Sequence, residues 1–461
     1  MAKINRQPAS KAPISKNETI TTTIVDLSYQ GMGVAKLDHF PIFVANALPG
    51  EEVELQATKV LKNYAFGRVV KRLSDSPDRV EVPDKVALAA GIAPLANLAY
   101  PAQLKFKQEQ VENVFQKLHL DVAVAETIGM EDPTHYRNKA QVPVQMVKGH
   151  LATGFYRRGS HTLIPTDHFY IQNPEVDQAV AATREVLDGL GLQAYDEKTK
   201  KGLVRHIMAR YGEQSGELMV VIVTNHAKLP GKELIIERLR AKLPALKSLI
   251  QNINNVHTNV IMGGENVTLW GADKIEDTLL GKTYQIGPNS FYQVNPKTTA
   301  KLYQLAAQKA DLKPDDVVVD AYCGIGTIAL SVADQVKQVY GVEVVPDAIA
   351  DARENARLNG VDNASFITAD APEQMQKWQA EGLKPSVVFF DPPRKGLTPE
   401  VIEATVAMEP ERIVYVSCNP ATLARDAAQL IETGYHFDGP VQPVDQFPQT
   451  VHVEAVVAFK R

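Results

Sequence analysis

The chain has 461 residues, of which 44% are hydrophobic and 22% charged, with a formal net charge of −5 and two cysteines. This length exceeds what a single hydrophobic core organises, so more than one domain is expected. Two cysteines cannot build a disulfide framework, which favours a reducing, cytoplasmic compartment. No apolar run is long enough to span a bilayer, so no membrane partner is expected. The negative net charge argues against a protein that binds nucleic acid over its whole surface, but it is compatible with local basic patches.

The N-terminal region combines a short polar tail with a β-rich segment. Residues 1–13 are predicted to be disordered, and residues 14–73 contain short β-type runs separated by turn residues, which predicts a small OB-like barrel. Within it, residues 55–72 carry no acidic residue. Four basic side chains of this window are candidate contacts for single-stranded nucleic acid: Lys59, Lys62, Arg68 and Lys71. The alternative is a solvated strand pair whose aromatic residues, Tyr64 and Phe66, lie in the core.

A central region of mixed character follows the barrel. Residues 74–284 are predicted to form an α+β domain, in which the spacing of apolar residues predicts a helix at about 101–121. A second basic window without acids, residues 147–161, contains Arg157 and Arg158. These two arginines are further candidates for RNA contacts.

The last third of the chain alternates apolar strands with helices, which predicts a doubly wound, mainly parallel α/β sheet at 285–461. Its first strand runs through "VVVDAYCGIGTIAL" into a turn containing Gly324 and Gly326 and then into a helix. Glycines allow a ligand to approach the backbone closely. Glu343 ends the next strand, where its carboxylate can accept hydrogen bonds from ribose hydroxyls, and Asp370 ends the third strand, within reach of an adenine amino group.

The glycine loop alone fits a nicotinamide dinucleotide, S-adenosylmethionine or a purely structural turn. The downstream sequence "FFDPPRKG" favours S-adenosylmethionine, because Asp-Pro-Pro directly after the fourth strand is typical of methyltransferases. In an open α/β sheet, ligands bind at the carboxyl ends of the strands. The loop, Glu343 and Asp391 are therefore expected to line one crevice.

A thiol is expected in the same crevice. Cys418 follows the fifth strand in "VYVSCNPATLARD", and a thiolate there could add to C6 of a pyrimidine so that C5 attacks a sulfonium methyl group. A base must then remove the C5 proton, and Glu454, in the otherwise apolar last strand, is the candidate. The alternatives are a buried packing thiol and a polar edge-strand position. Together with the methyl-donor loop, the pair favours covalent chemistry.

These segments resemble a known family. "DAYCGIGTIAL", "FFDPPRKG", "VYVSCNPATLARD" and "HVE" together resemble the RNA uridine C5-methyltransferases of the TrmA/RumA type, and "SFYQVNP" ahead of them is also similar. Residues 14–73 resemble the family's TRAM domain, an OB-like RNA-binding barrel. The resemblance implies S-adenosylmethionine as cofactor, Cys418 as nucleophile and Glu454 as base. It also implies cofactor contacts from Gln293, Tyr322, Glu343 and Asp391.

One departure from many relatives concerns an iron–sulfur cluster. Asp84, Ala90 and Ala93 stand where three cluster cysteines would be, and Cys323 and Cys418 cannot supply four thiolates. We therefore predict no iron–sulfur cluster. Cluster-free members with a TRAM domain are similar to the Gram-positive 23S ribosomal RNA (uracil-C5)-methyltransferases (RlmCD/RlmD-like), which can modify two uridines, whereas the transfer-RNA branch usually lacks TRAM. The resemblance thus implies 23S ribosomal RNA as partner; a monomer is the default expectation.

Other functions stay open at this point. A cytosine-C5 enzyme would carry a second cysteine after the proline of the fourth-strand motif, where this chain has Arg394. An amino-group methyltransferase would need no thiol. The remaining alternatives are a transfer-RNA (uracil-C5)-methyltransferase, a catalytically silent RNA-binding or assembly factor, and a small-molecule methyltransferase, which would leave residues 14–73 unexplained.

Overall fold

The computed structural model describes residues 12–256 and 260–461. Most of the tail predicted to be disordered, residues 1–11, lies outside this part of the chain. The described residues form two compact units. One consists of the residues up to Gln103 together with Gln449–Val451, and the other of Leu104–Pro448 together with His452–Arg461. The first unit extends beyond residue 73, the sequence-based end of the barrel domain. The rest of the expected central domain shares a unit with the α/β domain.

The first unit is built on a closed β-barrel. Its strands are β1 (Thr19–Leu27), β2 (Gly33–Leu37), β3 (Phe40–Ala45), β4 (Glu52–Val60) and β5 (Ala65–Arg72). They close in the order β1-β2-β3-β5-β4, with β3 and β5 parallel. Alternation along the strands sends Ile42, Val44 and Ala65, which are fully buried, into the barrel. The OB-like barrel predicted from the sequence is thereby confirmed.

The segment that contains Asp84, Ala90 and Ala93 forms a short helix. In α1 (Lys85–Ala90), the Asp84 carboxylate caps the first turn by accepting a hydrogen bond from the amide of Val86 at 2.7 Å. Gly91 ends the helix with a left-handed φ of +69°, and Ala93 is fully buried. Capping and apolar packing therefore hold this segment.

The second unit begins within a long helix and continues into a mixed sheet. The helix is α2 (Tyr100–Lys117), which ends four residues before the end expected from the sequence. The following elements are β6 (Lys139–Val147), β7 (His150–Tyr156), β8 (Leu163–Pro165), α3 (Pro174–Gly189), β9 (Val204–Tyr211), β10 (Leu218–Thr224), α4 (Lys232–Lys242), β11 (Leu246–Ile253) and β12 (Glu265–Gly271). The sheet order is β12-β11-β10-β9-β6-β7-β8. Helices α3 and α4 cover one face, and Met208 and Val221 on the other face join the core of the α/β domain.

The α/β domain follows a hairpin. Its elements are β13 (Ile275–Leu279), β14 (Lys282–Ile286), α5 (Pro296–Ala310), β15 (Val317–Ala321), α6 (Thr327–Val332), a 3-10 turn (Ala333–Gln335), β16 (Gln338–Glu343), α7 (Pro346–Leu358), β17 (Ala364–Thr368), α8 (Ala371–Ala380), β18 (Val387–Phe390), α9 (Pro399–Met408), β19 (Arg412–Ser417), α10 (Pro420–Glu432), β20 (His436–Phe437), β21 (Gln442–Val444) and β22 (Glu454–Lys460). The sheet runs β17-β16-β15-β18-β19-β22-β20, and β21 also pairs with β22. The strands from β17 to β19 are parallel, whereas β22 is antiparallel to β19.

Helices cover both faces of this sheet, which confirms the doubly wound α/β fold. On one face the core is formed with α5, α6 and α7, through residues such as Leu302, Ile328 and Ile349. On the other face α8, α9 and α10 pack together with α2, whose Val111 and Phe115 are buried there. Because both faces are covered, β18 is apolar at every position and fully buried. None of the helices in the described ranges combines the length and apolar character that crossing a bilayer requires.

Candidate active site

The glycine loop lies at the carboxyl end of β15. The amides of Tyr322 and Cys323 donate to the carbonyl of Val342 at 3.0 and 3.1 Å, and Tyr322 adopts a left-handed φ of +69°, which is unfavourable for a residue with a Cβ. Gly326 also has a positive φ, +84°, and caps α6. At Gly324 nothing lies within 4 Å of the position that a Cβ would take. The loop is thus held rigidly while leaving space for a ligand beside its backbone.

Acidic residues surround this loop. The carboxylate of Glu343 accepts from the amide of Val345 at 3.0 Å, and Asp370 is exposed at the N-terminus of α8 without capping it. Burial and then the carboxylates of Asp370, Asp426 and Glu343 raise the pKa of Tyr322 to about 12. The sequence-predicted residues Tyr322, Glu343 and Asp370 are therefore neighbours.

A buried carboxyl beneath the loop was missed by the sequence reasoning. Asp320 is 1% exposed and accepts from the amide of Ala329 at 2.9 Å, but its Oδ1 has no hydrogen-bond partner among the described residues. Burial, followed by the charges of Asp391 and Glu343, raises its pKa to about 8. The available signal was an acid inside the apolar run "VVVDA". An unsatisfied, buried acceptor at this position is suited to a ligand donor or cation.

Gln293 and Asp391 occupy the adjoining part of the crevice. Gln293 is 9% exposed and hydrogen-bonds to the hydroxyl of Tyr303. Burial and the nearby Asp391 raise the pKa of Tyr303. Asp391 itself follows β18, and burial raises its pKa to about 7. Both residues predicted from the sequence thus lie near one buried tyrosine, which the sequence reasoning did not identify.

Strand pairing brings Cys418 and Glu454 together. In the antiparallel ladder of β19 and β22, Ser417 pairs with Ala455, so the next step sets Cys418 opposite Glu454. Glu454 is 3% exposed, whereas Cys418 is partly accessible. Burial and then the charges of Glu454 and Asp391 raise the pKa of Cys418 to about 11. Burial and then Asp391 raise the pKa of Glu454 to about 8.

One cation opposes these charges. Arg394, in the loop after β18, lowers the pKa values of both Cys418 and Glu454, although burial and the carboxylates outweigh it. Arg394, Lys395 and Arg425 all lie near Cys418 in sequence, and the sequence alone does not indicate which of them faces the thiol. In the structure Arg425 donates to the carbonyls of Lys395 and Leu397 at 2.9 and 3.0 Å, so it holds the loop instead.

The same loop is fixed by a buried carboxylate. Asp426 is fully buried and accepts from the amide of Leu397 and the hydroxyl of Tyr415, both at 2.8 Å. Gly396 has a φ of +74°, and a Cβ there would lie 2.4 Å from Asp426 Oδ2. A side chain at that position would clash with Asp426 and disturb the loop that carries Arg394.

The helix after β19 also favours a charged thiol. Asn419 caps α10 by accepting from the amide of Ala421 at 3.2 Å, and its side-chain amide donates to the carbonyl of Arg394 at 3.0 Å. Cys418 therefore directly precedes the N-terminus of a 13-residue helix, where the helix dipole stabilises negative charge.

The remaining predicted residues lie elsewhere. Four are on the barrel of the first unit: Lys59, Lys62, Arg68 and Lys71. Arg157 and Arg158 are exposed in the β7–β8 connection of the second unit. Cys323 is 5% exposed and belongs to the apolar core. In the described ranges no cluster of three or more His, Cys, Asp or Glu side chains has the arrangement of a metal site.

Comparisons with known proteins identify the family to which this chain belongs. The sequence model of the tRNA (uracil-5-)-methyltransferase family matches residues 99–461, and that of the TRAM domain matches residues 15–70. An uncharacterized RNA methyltransferase of Lactiplantibacillus plantarum is 52% identical, covering 97% of this chain and 98% of the relative. One from Enterococcus faecalis is 48% identical, with the same coverage.

A solved structure is also similar over nearly the whole chain. The tRNA (uracil-54, C5)-methyltransferase of Pyrococcus abyssi, determined in complex with S-adenosyl-L-homocysteine, has a TM-score of 0.77 and 25% identity. The match covers 95% of this chain and 100% of the Pyrococcus abyssi chain.

The fold, the family match and the relatives together define an RNA methyltransferase. The chain belongs to the tRNA (uracil-5-)-methyltransferase family and carries an N-terminal TRAM domain. It is an S-adenosylmethionine-dependent RNA (uracil-5-)-methyltransferase.

Proposed function

We propose that this chain forms 5-methyluridine in 23S ribosomal RNA, at one or two uridines, through a covalent bond between Cys418 and C6 of the base. The observation that carries the mechanism is the β19–β22 ladder, which ends at Ser417 and Ala455, so that Cys418 and Glu454 are the next opposed positions, and the Glu454 charge acts on the Cys418 thiol. The two side chains would then lie on one target base, close to its adjacent C6 and C5 atoms.

The residues divide the reaction between them. The Cys418 thiolate adds to C6, which leaves the electron pair at C5. The cofactor supplies the methyl group that C5 takes up. Glu454, as the carboxylate, then removes the C5 proton, and the electron pair of that C–H bond expels the Cys418 thiolate and restores the C5–C6 double bond. A base stacked within a helix could not reach Cys418, so the target uridine must be flipped out.

The residues of the crevice fit S-adenosylmethionine. Glu343 and Asp370 would hold the ribose and adenine, and Tyr322, Gly324 and Gly326 would form the backbone cradle. Asp391, Gln293 and the unsatisfied Oδ1 of Asp320 supply acceptors. Acids and neutral acceptors are the appropriate lining for a cofactor that carries a sulfonium and an ammonium group.

Two features of the chain support 23S ribosomal RNA. A TRAM barrel is present, and the segment that carries cluster cysteines in other members is a capped helix held by apolar packing. This combination is similar to the cluster-free ribosomal RNA enzymes. Lys59, Lys62, Arg68, Lys71, Arg157 and Arg158 would contact phosphates. We further infer a monomeric, cytoplasmic enzyme.

Transfer RNA is the second candidate, and one observation favours it. The Pyrococcus abyssi transfer-RNA enzyme covers 95% of this chain, so its match includes most of the barrel region. A TRAM-like barrel therefore does not by itself exclude transfer RNA.

The deciding experiment is single-turnover methylation with radiolabelled S-adenosylmethionine, supplying unmodified 23S ribosomal RNA or unmodified transfer RNA and digesting the products to nucleosides. We expect label in 5-methyluridine from ribosomal RNA, and none with Cys418→Ala, which should still bind RNA. Label from transfer RNA alone would keep the chemistry and overturn the substrate. Label with Cys418→Ala would overturn the covalent mechanism, and no label from either RNA would favour a silent RNA-binding factor.

A further inference from the structure

Three aromatic side chains lie together on the outer wall of the barrel. Phe43 on β3 and Phe66 on β5 are register partners, and alternation points them away from the interior, because Ile42 and Ala65 beside them are fully buried. Tyr64, in the turn before β5, is 37% exposed. The ring centroids of this aromatic triad are separated by 5.8 Å (Phe43–Tyr64), 6.0 Å (Phe43–Phe66) and 5.6 Å (Tyr64–Phe66).

The triad is not part of the barrel core. That core consists of aliphatic residues, and neither of the two phenylalanines nor the tyrosine belongs to it. An aromatic cluster on a solvent-facing wall costs solubility without stabilising the interior, which is a reason to expect a bound partner. The alternative reading of the 55–72 window, with its aromatic residues in the core, is therefore not what the structure has.

The charges beside the triad point to an anionic partner. Lys59 on β4 is the register partner of Phe66, and Lys62 lies two residues before Tyr64. Within residues 12–256 and 260–461 neither lysine has a carboxylate within 4 Å, and both side chains are available for phosphates.

The other three basic residues of the window, Arg68, Lys71 and Arg72, differ from these lysines. Arg72 forms ion pairs with Glu51 and Asp75, both at 3.4 Å. The Arg68 guanidinium donates to Gln56 at 2.9 and 3.2 Å, and Lys71 is paired in register with Glu54. Lys59 and Lys62 are therefore the basic side chains of the window that lie beside the triad and have neither an ion pair nor a polar cross-strand partner among the described residues.

We propose that the aromatic triad is a stacking platform for unpaired bases of the substrate RNA, with Lys59 and Lys62 neutralising the phosphates beside them. Aromatic rings next to basic side chains bind single strands because every base has a π-face, whereas a duplex hides its base faces. The inference rests on the proposed function only in requiring an RNA substrate. It is the same for ribosomal and transfer RNA.

Binding to two matched probes tests the proposal, using the full-length protein and fluorescence anisotropy. The probes are a short oligouridine and a blunt RNA duplex of the same length. Phe43→Leu, Tyr64→Leu and Phe66→Leu should each weaken oligouridine binding about 5-fold or more, with a change below about 2-fold for the duplex. Tyr29→Leu is the matched control, because Tyr29 is 74% exposed in the β1–β2 turn and lies outside the triad.

Salt dependence separates stacking from charge. Lys59→Gln and Lys62→Gln should each reduce the slope of log affinity against log salt by about 0.7, whereas the leucine variants should leave it unchanged. Thermal melting shows whether each variant is folded. If a phenylalanine variant melts at a lower temperature than wild type, Tyr64→Leu is the deciding variant, because Tyr64 lies in an exposed turn. Wild-type oligouridine affinity in Tyr64→Leu would overturn the proposal, and so would equal losses on both probes. If the leucine variants lose oligouridine affinity as expected but the wild-type enzyme does not methylate 23S ribosomal RNA, only the proposed substrate is overturned.

Discussion

Replacing Glu454 with glutamine should stop the enzyme at its covalent intermediate. Glu454 is 3% exposed, and glutamine has nearly its size, so the packing at the start of β22 is retained while the base is removed. Loss of a general base slows proton abstraction by about 10² to 10⁴, or about 3 to 5.5 kcal/mol of barrier. Attack by Cys418 and methyl transfer do not use this carboxylate. Methylated RNA bound to Cys418 should therefore accumulate to about one equivalent.

The same substitution has a second consequence that can be measured without RNA. The negative charge of Glu454 raises the pKa of Cys418, after the larger effect of burial. Since the pKa of Glu454 is about 8, that charge is present above about pH 8 and absent well below it. Glu454→Gln should thus alkylate faster than wild type with iodoacetamide at pH 9 and at the same rate at pH 6.5.

Both consequences need defined controls. The adduct is followed by single turnover with radiolabelled cofactor and denaturing gels, and peptide mapping assigns alkylation to Cys418 rather than Cys323. Glu432→Gln, on an exposed glutamate at the end of α10, should behave as wild type. Wild-type turnover without adduct would remove Glu454 from the base role. Equal alkylation rates at pH 9 would show that its charge does not act on Cys418.

Three further predictions follow from the charges in the crevice. Arg394→Gln removes the cation that lowers the pKa values of Cys418 and Glu454, so the single-turnover rate should fall at pH 7.5 and its pH profile should shift to higher pH. Binding of S-adenosylmethionine at pH 7.5 should release protons from Asp320, Asp391 and Glu454, whose pKa values are about 8, 7 and 8, and S-adenosylhomocysteine should release fewer. Calorimetry in buffers of different ionisation enthalpy measures this release. Asp426→Ala should lower stability by about 1.5 to 3 kcal/mol, because the amide of Leu397 and the hydroxyl of Tyr415 lose their buried acceptor, and chemical denaturation measures this loss.

Much of the fold could be predicted because its signals are local. The apolar run "VVFF" identifies a strand buried on both faces, and Gly324 and Gly326 identify a strand–helix turn from the residue pattern alone. The barrel likewise follows from short β runs and turn residues. The register of β22, by contrast, depends on a pairing with β19, which lies far from it along the chain, and no local pattern encodes it.

The electrostatic roles were the harder part. Arg394 and Arg425 are both basic residues near the crevice in sequence, and only their hydrogen bonds separate a residue that acts on the thiol from one that holds a loop. Asp320 was missed because a single acidic residue in a strand is compatible with either a buried or a solvent-exposed position. Its burial and unsatisfied oxygen become visible only when the strand is packed.

At the end of β19, Cys418 is exposed both to groups that oppose ionisation of its thiol and to groups that favour it. Burial, Glu454 and Asp391 oppose its ionisation, while Arg394 and the start of α10 favour it, and the net effect is a pKa of about 11. A thiol with that pKa is almost entirely protonated at neutral pH, which limits alkylation and oxidation by other reagents. The negative charges that oppose ionisation belong to Glu454 and Asp391, which would face the target nucleobase and the cofactor. We therefore expect the Cys418 thiolate to form only when positively charged or hydrogen-bonding groups of the ligands occupy the crevice. The protonation states of the Cys418 nucleophile, the Glu454 base and the cofactor-facing Asp391 are therefore linked to one another.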